Sequence, residues 1–146
     1  MYVSSILLHK GTDIYSVEPD DSLITALQLF SANKIGFALV LDKDGNPLGG
    51  VSEREICSAM AKSDGAGRQT PVRDVMNHDV AICAPDDNLI RIMAMMTGKR
   101  HRHMLVCDDD GLQGVISIGD VVKYRLDEIM HEEEELLKYI EGTGYS

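Results

Sequence analysis

The sequence predicts an α+β fold made of two copies of a β-α-β-β-α unit, followed by a C-terminal helical extension. The main observation is an internal repeat, because the segment that begins at Asp13 recurs from Asp79 at an offset of 66 residues. The offset becomes 65 by Gly49 and Gly114, so the second copy lacks one turn residue. A three-stranded sheet with helices on one face leaves its other face apolar, so we expect the copies to pack sheet against sheet with pseudo-two-fold symmetry.

Hydrophobic periodicity and turn residues place the elements of the first copy. Apolar residues at helical spacing predict its helices, and two apolar runs around the turn Asp42–Asn46 predict a hairpin. In chain order the predicted elements are a lead helix Val3–His9, a strand Ile14–Val17, a helix capped by Asp20 or Asp21 and reaching Phe30, strands Gly36–Leu41 and Leu48–Ser52, and a helix Glu53–Ala61.

The second copy follows a polar linker, Lys62–Gln69, and a short helix Val72–Met76 that opens with Thr70–Pro71. Its predicted elements are a strand Val80–Ala84, a helix Asp87–Gly98, strands His103–Asp108 and Gly114–Ser117, and a helix that continues from Gly119 towards Ile140. We therefore divide the chain into a first repeat with its lead segment (1–64), a linker (65–69), a second repeat (70–126) and an acidic helix and tail (127–146).

Composition excludes several classes of protein. The net charge is −10, with seven acids and one lysine in residues 127–141, and such a chain is a poor nucleic-acid binder. No apolar run approaches the roughly 18 residues of a membrane span. The three cysteines lack paired spacing, and the first residues do not show the basic and then apolar pattern of a signal peptide. We expect a cytoplasmic protein that binds neither nucleic acid nor membrane.

Both copies share a set of short motifs in the same internal order. They are Val17–Pro19, Gly36–Val40 and Gly49–Glu55 in the first copy, and Arg102–Val106, Asp108–Gly111 and Gly114–Asp120 in the second. Together they resemble the tandem CBS domain, in which two cystathionine-beta-synthase-type repeats form one module. Ser52–Glu55 looks like the Ser-Glu-Arg-Asp, and Ser117–Asp120 like the Ser-Ile-Gly-Asp, of small stand-alone bacterial CBS pairs. The resemblance implies a homodimer that binds an adenosine-containing ligand in clefts between the repeats and regulates an unidentified protein.

The Ser-x-x-Asp/Glu motifs have two interpretations. At a helix N-terminus the backbone N–H groups and the helix dipole favour an oxygen-rich ligand, and an ionised Asp can accept hydrogen bonds from ribose hydroxyls. The same spacing is also a capping box, in which the two side chains close their own helix. Glu55 is one methylene longer than the expected Asp and suits a capping box, so Ser117 and Asp120 form the better candidate site.

A basic cluster, Lys99–His103, precedes the strand that faces this motif. The resemblance places Arg102, His103 and Met104 beside the ligand, and the planar guanidinium suits a phosphate because it can donate two hydrogen bonds. The alternative is a solvated basic stretch that offsets the acids Asp108–Asp110. His101 and His103 alone are too few ligands for a metal site, so we predict no metal.

We predict two ligand sites of unequal strength and no catalytic residue. The stronger comprises Val80, Ala81, Arg102, His103, Met104, Ser117 and Asp120. The weaker comprises Ile14, Tyr15, Gly36, Phe37, Ser52, Arg54 and Glu55. The expected ligand is AMP, ADP, ATP, NAD(H) or S-adenosylmethionine, acting as a regulatory ligand rather than as a catalytic cofactor, and we do not expect an enzyme. The alternative is a ligand-free dimerisation scaffold whose motifs are only helix caps.

Two helical stripes are candidates for the dimer interface, because we expect one chain of this size to leave them partly uncovered. They are Leu23/Leu27/Phe30 and Ile92/Met93/Met96. The apolar residues of the terminal helix, from Ile129 to Ile140, are a further surface for a partner subunit.

Overall fold

The computed structural model describes residues 2–62, 64–99 and 101–142 and has the predicted α+β fold. Arg100 of the basic cluster and residues 143–146 of the predicted tail lie outside the described residues. The helices are α1 (Val3–Lys10), α2 (Leu23–Asn33), α3 (Glu53–Met60), α4 (Leu89–Lys99) and α5 (Ile118–Gly142). The strands are β1 (Ser16–Val17), β2 (Phe37–Leu41), β3 (Pro47–Ser52), β4 (Ala81–Cys83), β5 (His103–Asp108) and β6 (Gly111–Ser117).

Each repeat forms its own three-stranded sheet, with the same topology in both. The strand orders are β1-β2-β3 and β4-β5-β6, with a parallel first pair and an antiparallel second pair. The short parallel strands are shorter than predicted, since β1 begins at Ser16 instead of Ile14 and β4 spans only three residues. The predicted caps of α2 are wrong, because the Ser22 side chain accepts the Thr25 N–H and neither Asp20 nor Asp21 does so.

The segment that precedes each repeat packs with the other repeat. Residues 13–80 form one compact unit, whereas 2–12 and 81–142 form the other, so the grouping of the lead helix with residues up to 64 differs from the structure. In the second-repeat unit, the Val3 N–H donates to Asp87 O at 3.1 Å. In the first-repeat unit, the Val72 N–H donates in the same way to Asp21 O at 2.7 Å. Val72 begins a short 3₁₀ helix that ends at Asp74, two residues earlier than predicted.

The missing turn residue lies between the antiparallel strands. Five residues connect β2 to β3, whereas two connect β5 to β6. Gly45 and Gly111 have φ angles of 82° and 103°, in the left-handed region that glycine adopts without steric cost. The glycines of the Asp-Gly pairs that predicted both hairpins therefore allow the positive φ angles that these turns require.

Each unit has a separate hydrophobic core. Val3 and Ile6 of α1 join the second-repeat core, and Val72 joins the first. The stripe residues Leu23, Phe30, Ile92 and Met96 are at most 1% exposed, and Leu27 and Met93 pack against the same cores. Each unit therefore buries most of its own stripe, and of the six stripe residues Leu27 and Met93 remain partly exposed.

Helix α5 differs from the other helices in its exposure. It is 25 residues long, and Val121 is its one buried residue. Its exposed apolar residues include Val122, Leu126, Ile129, Met130, Leu136, Leu137 and Ile140. Within the described residues, no helix combines the length and the apolar character that crossing a membrane requires.

Candidate functional site

The second-repeat sheet brings most of the stronger predicted site to the N-terminus of α5. His103 on β5 pairs with Ser117 on β6, and Ala81 on β4 pairs with Met104 on β5. The first N–H of α5, from Ile118, donates to Arg102 O at 2.8 Å. Arg102, His103, Ser117 and the first turn of α5 therefore form one local cluster, although 15 residues of sequence separate Arg102 from Ser117.

Ser117 and Asp120 close the first turn of α5 as a reciprocal capping box. The Asp120 N–H donates to Ser117 Oγ at 3.1 Å, and the Ser117 N–H donates to Asp120 Oδ2 at 2.9 Å. The capping interpretation of this motif thus matches the observed geometry. A cap does not remove the carboxylate from a ligand's reach, because the Asp120 side chain remains 27% exposed.

A lysine that the sequence did not single out contacts this carboxylate. Lys10, the last residue of α1, donates from Nζ to Asp120 Oδ2 at 2.6 Å and to Val115 O at 2.7 Å. Burial raises the pKa of Asp120, but the hydrogen bonds from Lys10 and Ser117 outweigh it and lower the pKa below its usual value. Asp120 is therefore ionised at neutral pH and can accept hydrogen bonds.

His103 is held neutral in this cluster. Burial is the main cause that lowers its pKa to about 4, with Lys10 and Arg102 acting in the same direction and Asp120 opposing them. A neutral imidazole adds no charge to a surface that already holds two cations. It can both donate and accept one hydrogen bond, as a nucleobase or a hydroxyl requires.

The remaining predicted residues of this site have different surroundings. Met104 is fully buried in the second-repeat core, on the central strand of its sheet, so its side chain is not exposed to a ligand. Arg102 is exposed, and Ala81 is partly buried. Val80 belongs to the first-repeat unit and Ala81 to the second, so the boundary between the compact units falls between these two predicted neighbours.

The first-repeat unit reproduces the arrangement with different side chains. Phe37 pairs with Ser52, and the Glu53 N–H donates to Gly36 O at 3.0 Å. Ser52 Oγ accepts the Glu55 N–H at 3.2 Å and donates to Glu55 Oε1 at 2.9 Å. Burial is the main cause that raises the pKa of Glu55, in contrast to the lowered pKa of Asp120.

Other members of the weaker site form a looser group. Tyr15 O accepts the Leu39 N–H at 3.0 Å, and Ile14 precedes it outside β1. Arg54 is exposed at the position that Gly119 occupies in the second repeat. A side chain thus replaces a glycine at the first turn of the helix, which reduces access to the backbone there.

The structure also bears on metal binding. Across residues 2–62, 64–99 and 101–142, His, Cys, Asp and Glu do not gather in a group of three or more that could hold an ion. His101 and His103 therefore have no third metal ligand beside them among the described residues.

Comparison with known proteins identifies the repeat. The family model described as the CBS domain matches residues 3–62 and 72–127. A crystal structure of a CBS-domain-containing protein from Agrobacterium tumefaciens is 40% identical, with a TM-score of 0.80, over 85% of this chain and 92% of that chain. A CBS-domain protein from Burkholderia ambifaria is 33% identical, with a TM-score of 0.81, over 87% of this chain and 95% of that one.

Curated relatives are longer than this chain. A mitochondrial CBS domain-containing protein of Arabidopsis thaliana is 32% identical over 86% of this chain, which spans 63% of that protein. An uncharacterised protein of Thermofilum pendens is 28% identical over 97% of this chain, which spans 46% of it.

Two more distant structures share the fold and contain adenosine compounds. A CBS domain protein from Pyrobaculum aerophilum complexed with AMP is 23% identical, with a TM-score of 0.71, over 82% of this chain and 89% of that one. The CBS domain pair of protein MJ0100, in complex with 5′-methylthioadenosine and S-adenosyl-L-methionine, is 16% identical, with a TM-score of 0.76, over 88% and 98%. The repeat, the two matching sheets and these matches agree, and the chain belongs to the CBS-domain family, with two CBS domains in tandem.

Proposed function

We propose that this protein is a regulatory module that binds an adenosine-containing ligand at the N-terminus of α5. The observation that carries the proposal is the cluster of Arg102, His103, Ser117 and Asp120 around that helix end. An ionised Asp120 can accept hydrogen bonds from ribose hydroxyls, and the exposed Arg102 can pair with a phosphate. Two structural relatives contain AMP or S-adenosyl-L-methionine, which supports this ligand class.

The second-repeat site is expected to bind more tightly than its first-repeat counterpart. The Glu55 carboxylate accepts a hydrogen bond from the Ser52 hydroxyl, and the Glu55 side chain is one methylene longer than that of Asp120. Arg54 also stands where Gly119 leaves the backbone accessible. We therefore expect each chain to have one strong ligand site, in the second repeat, and one weak or unused site, in the first.

Removing the Asp120 carboxylate tests the proposal. Calorimetry with AMP, ATP, NAD and S-adenosylmethionine should find at least one ligand, and Asp120→Ala should bind that ligand about tenfold or more weakly, because hydrogen bonds to a charged group are worth roughly 1.5–3 kcal/mol. Asp109→Ala is the matched control, because it removes one exposed carboxylate in the β5–β6 turn. Equal affinity of the Asp120 and Asp109 variants would remove Asp120 from the site.

A ligand-free scaffold is the alternative, and the capping bonds at both motifs favour it. A scaffold predicts that none of the four ligands binds and that Asp120→Ala only destabilises the fold. Loss of a helix cap costs about 1 kcal/mol, so thermal unfolding measured beside calorimetry separates the two functions.

The regulatory unit that we propose is a homodimer formed through the exposed face of α5. Val122, Leu126, Ile129, Leu136 and Ile140 follow alternating spacings of three and four residues, interrupted only at Glu133, and cover about 27 Å of helix. This heptad spacing is the one into which a second helix packs.

The charges of α5 favour an antiparallel pair. A parallel pair would place the two acidic runs 132–135 side by side, whereas in an antiparallel pair the flanking Arg125 and Glu132 of opposite copies can meet. A two-fold pair of this kind needs no other partner.

A further inference from the structure

The lead helix α1 is fixed on the second-repeat unit along its whole length. Val3 and Ile6 are at most 2% exposed, and the Ser4 N–H donates to Pro85 O at 2.8 Å. Gly114 on β6 lies so close to α1 that a Cβ atom there would be 2.8 Å from the Leu7 side chain. Lys10 therefore projects from an anchored helix, and its position beside Asp120 is determined by this packing.

Lys10 takes the place of a backbone contact that the other unit makes. In the first-repeat unit, Gly50 O accepts the Asn77 N–H at 2.8 Å. The equivalent carbonyl of the second repeat, Val115 O, accepts Lys10 Nζ at 2.7 Å instead. The same ammonium then reaches Asp120, so the second repeat has a charged connection between its lead helix and its candidate ligand site.

The ion pair is of the kind that a ligand can replace. The Lys10 and Asp120 side chains are 36% and 27% exposed, and ion pairs at such partly solvated positions contribute little to stability. A ribose hydroxyl that donates to Asp120 Oδ2 would compete with Lys10 Nζ for the same oxygen, which already accepts the Ser117 N–H.

A second carboxylate lies in the same cleft as Lys10. Lys10, Asp120, Asp127 and Glu128 all line a cleft of about 660 Å³ along α1 and α5. Glu128 Oε1 is buried and accepts no hydrogen bond from the described residues, and the nearest cation recorded for it is Arg125 Nη1 at 3.7 Å. If the Lys10 ammonium leaves Asp120, Glu128 Oε1 is therefore a carboxylate oxygen in the same cleft that can accept its hydrogen bond.

We propose that Lys10 is a latch that competes with the ligand for Asp120 and moves towards Glu128 when the ligand binds. This inference rests on the proposed function, because it assigns the regulation of the same site. Release of Lys10 also frees Val115 O and the end of α1, so the lead helix reports whether the site is filled.

A neutral ligand isolates the competition. Adenosine carries no phosphate, so removing the Lys10 charge cannot weaken its binding by loss of long-range attraction. Lys10→Met should bind adenosine about three- to tenfold more tightly than the unmodified protein, measured by calorimetry. Lys43→Met is the matched control, because it removes an exposed lysine in the β2–β3 turn and should leave the affinity unchanged. The gain should disappear in the background of Asp120→Asn, as expected for coupled residues.

The second step has its own variant. Glu128→Gln should weaken adenosine binding severalfold when Lys10 is present and should have no effect together with Lys10→Met. Hydrogen exchange of residues 3–10 should increase on addition of adenosine to the unmodified protein.

The outcomes separate the latch from the function on which it rests. If Lys10→Met binds adenosine equally or more weakly while Asp120→Ala loses binding, the latch is wrong and the ligand site stands. If neither adenosine nor the four larger ligands bind to the unmodified protein or to Lys10→Met, both proposals are overturned. An effect of Glu128→Gln that persists without Lys10 would contradict the movement towards Glu128.

Discussion

At the scale of single residues, the two repeats place different side chains at equivalent positions. Phe37 and His103 each pair with the serine that caps the following helix. Phe37 extends over Gly50, where an added Cβ atom would overlap its ring. In the second repeat, which has His103 in place of Phe37, the residue equivalent to Gly50 is Val115. The substitution of a titratable ring for an apolar one gives the second repeat a pH response that the first lacks at this position.

Protonation of His103 should destabilise the fold. Its pKa is about 4 in the folded protein and about 6.5 when exposed, so its contribution is complete above pH 6.5 and is lost as the pH falls towards 4. The full loss is at most roughly 3 kcal/mol. The groups that act on it are Lys10, Asp120 and Arg102.

His103→Leu should remove this part of the pH dependence. Urea unfolding at pH 7 and pH 4.5 should show a smaller loss of stability for the variant than for the unmodified protein. Because carboxylates titrate at the lower end of this range in both proteins, the difference between the two slopes is the relevant quantity. Identical slopes would show that His103 is protonated equally well in the folded and unfolded states.

At the scale of elements, close contacts at β3 and β6 determine how each lead segment docks. The backbone at Asn77, in the segment that precedes the second repeat, lies directly on β3. The Asn77 N–H donates to Gly50 O at 2.8 Å, and the Gly50 N–H donates to Asn77 O at 2.9 Å. This approach requires a glycine at position 49, because a Cβ atom there would overlap Asn77 O. Helix α1 makes the corresponding approach to Gly114 through Leu7.

Gly49→Ala should therefore destabilise the first-repeat unit by about 1–3 kcal/mol, the usual cost of overpacking against a fixed neighbour. Gly98→Ala in α4 is the matched control, since no atom lies within 4 Å of its added methyl group. It should not destabilise the protein, because alanine is the better helix former. Thermal or urea unfolding of the two variants measures both effects, and a neutral Gly49→Ala would contradict the close approach.

Turn residues and apolar runs in the sequence predicted the strands and helices well. Contacts between residues far apart in the sequence could not be predicted from such local patterns. The Asp-Gly turns and apolar runs identified both hairpins, and the resemblance of the two repeats to the CBS domain is confirmed by the family match. The cap at Ser22 was missed because Asp20, Asp21 and Ser22 are adjacent and all of a capping type. Lys10 could not be identified, because 110 residues separate it from Asp120 and no periodic pattern connects the end of one helix to the first turn of a distant one.

At the scale of the whole molecule, α5 should hold two copies together. Light scattering of the unmodified protein at micromolar concentration should give twice the chain mass of 16.1 kDa. Leu136→Glu should give the monomer, because it places a charge in the apolar seam. Leu8→Glu is the control, since Leu8 is 87% exposed on α1, and it should remain dimeric. A monomeric unmodified protein would contradict the assembly, and a dimeric Leu136→Glu would place the interface elsewhere.

The packing of each lead segment with the opposite repeat has a consequence for the newly made chain on the ribosome. Domains generally fold as units while synthesis proceeds from the N-terminus. The unit of residues 13–80 has every buried member of its core cluster once Val72 has emerged. Helix α1 is made before residues 13–80, but Leu89, Ile92 and Val121 of its core are made after them, so Val3 and Ile6 lack these partners while the first unit is synthesised. A chain that ends after residue 80 would thus contain one complete unit and an N-terminal segment without its packing partners.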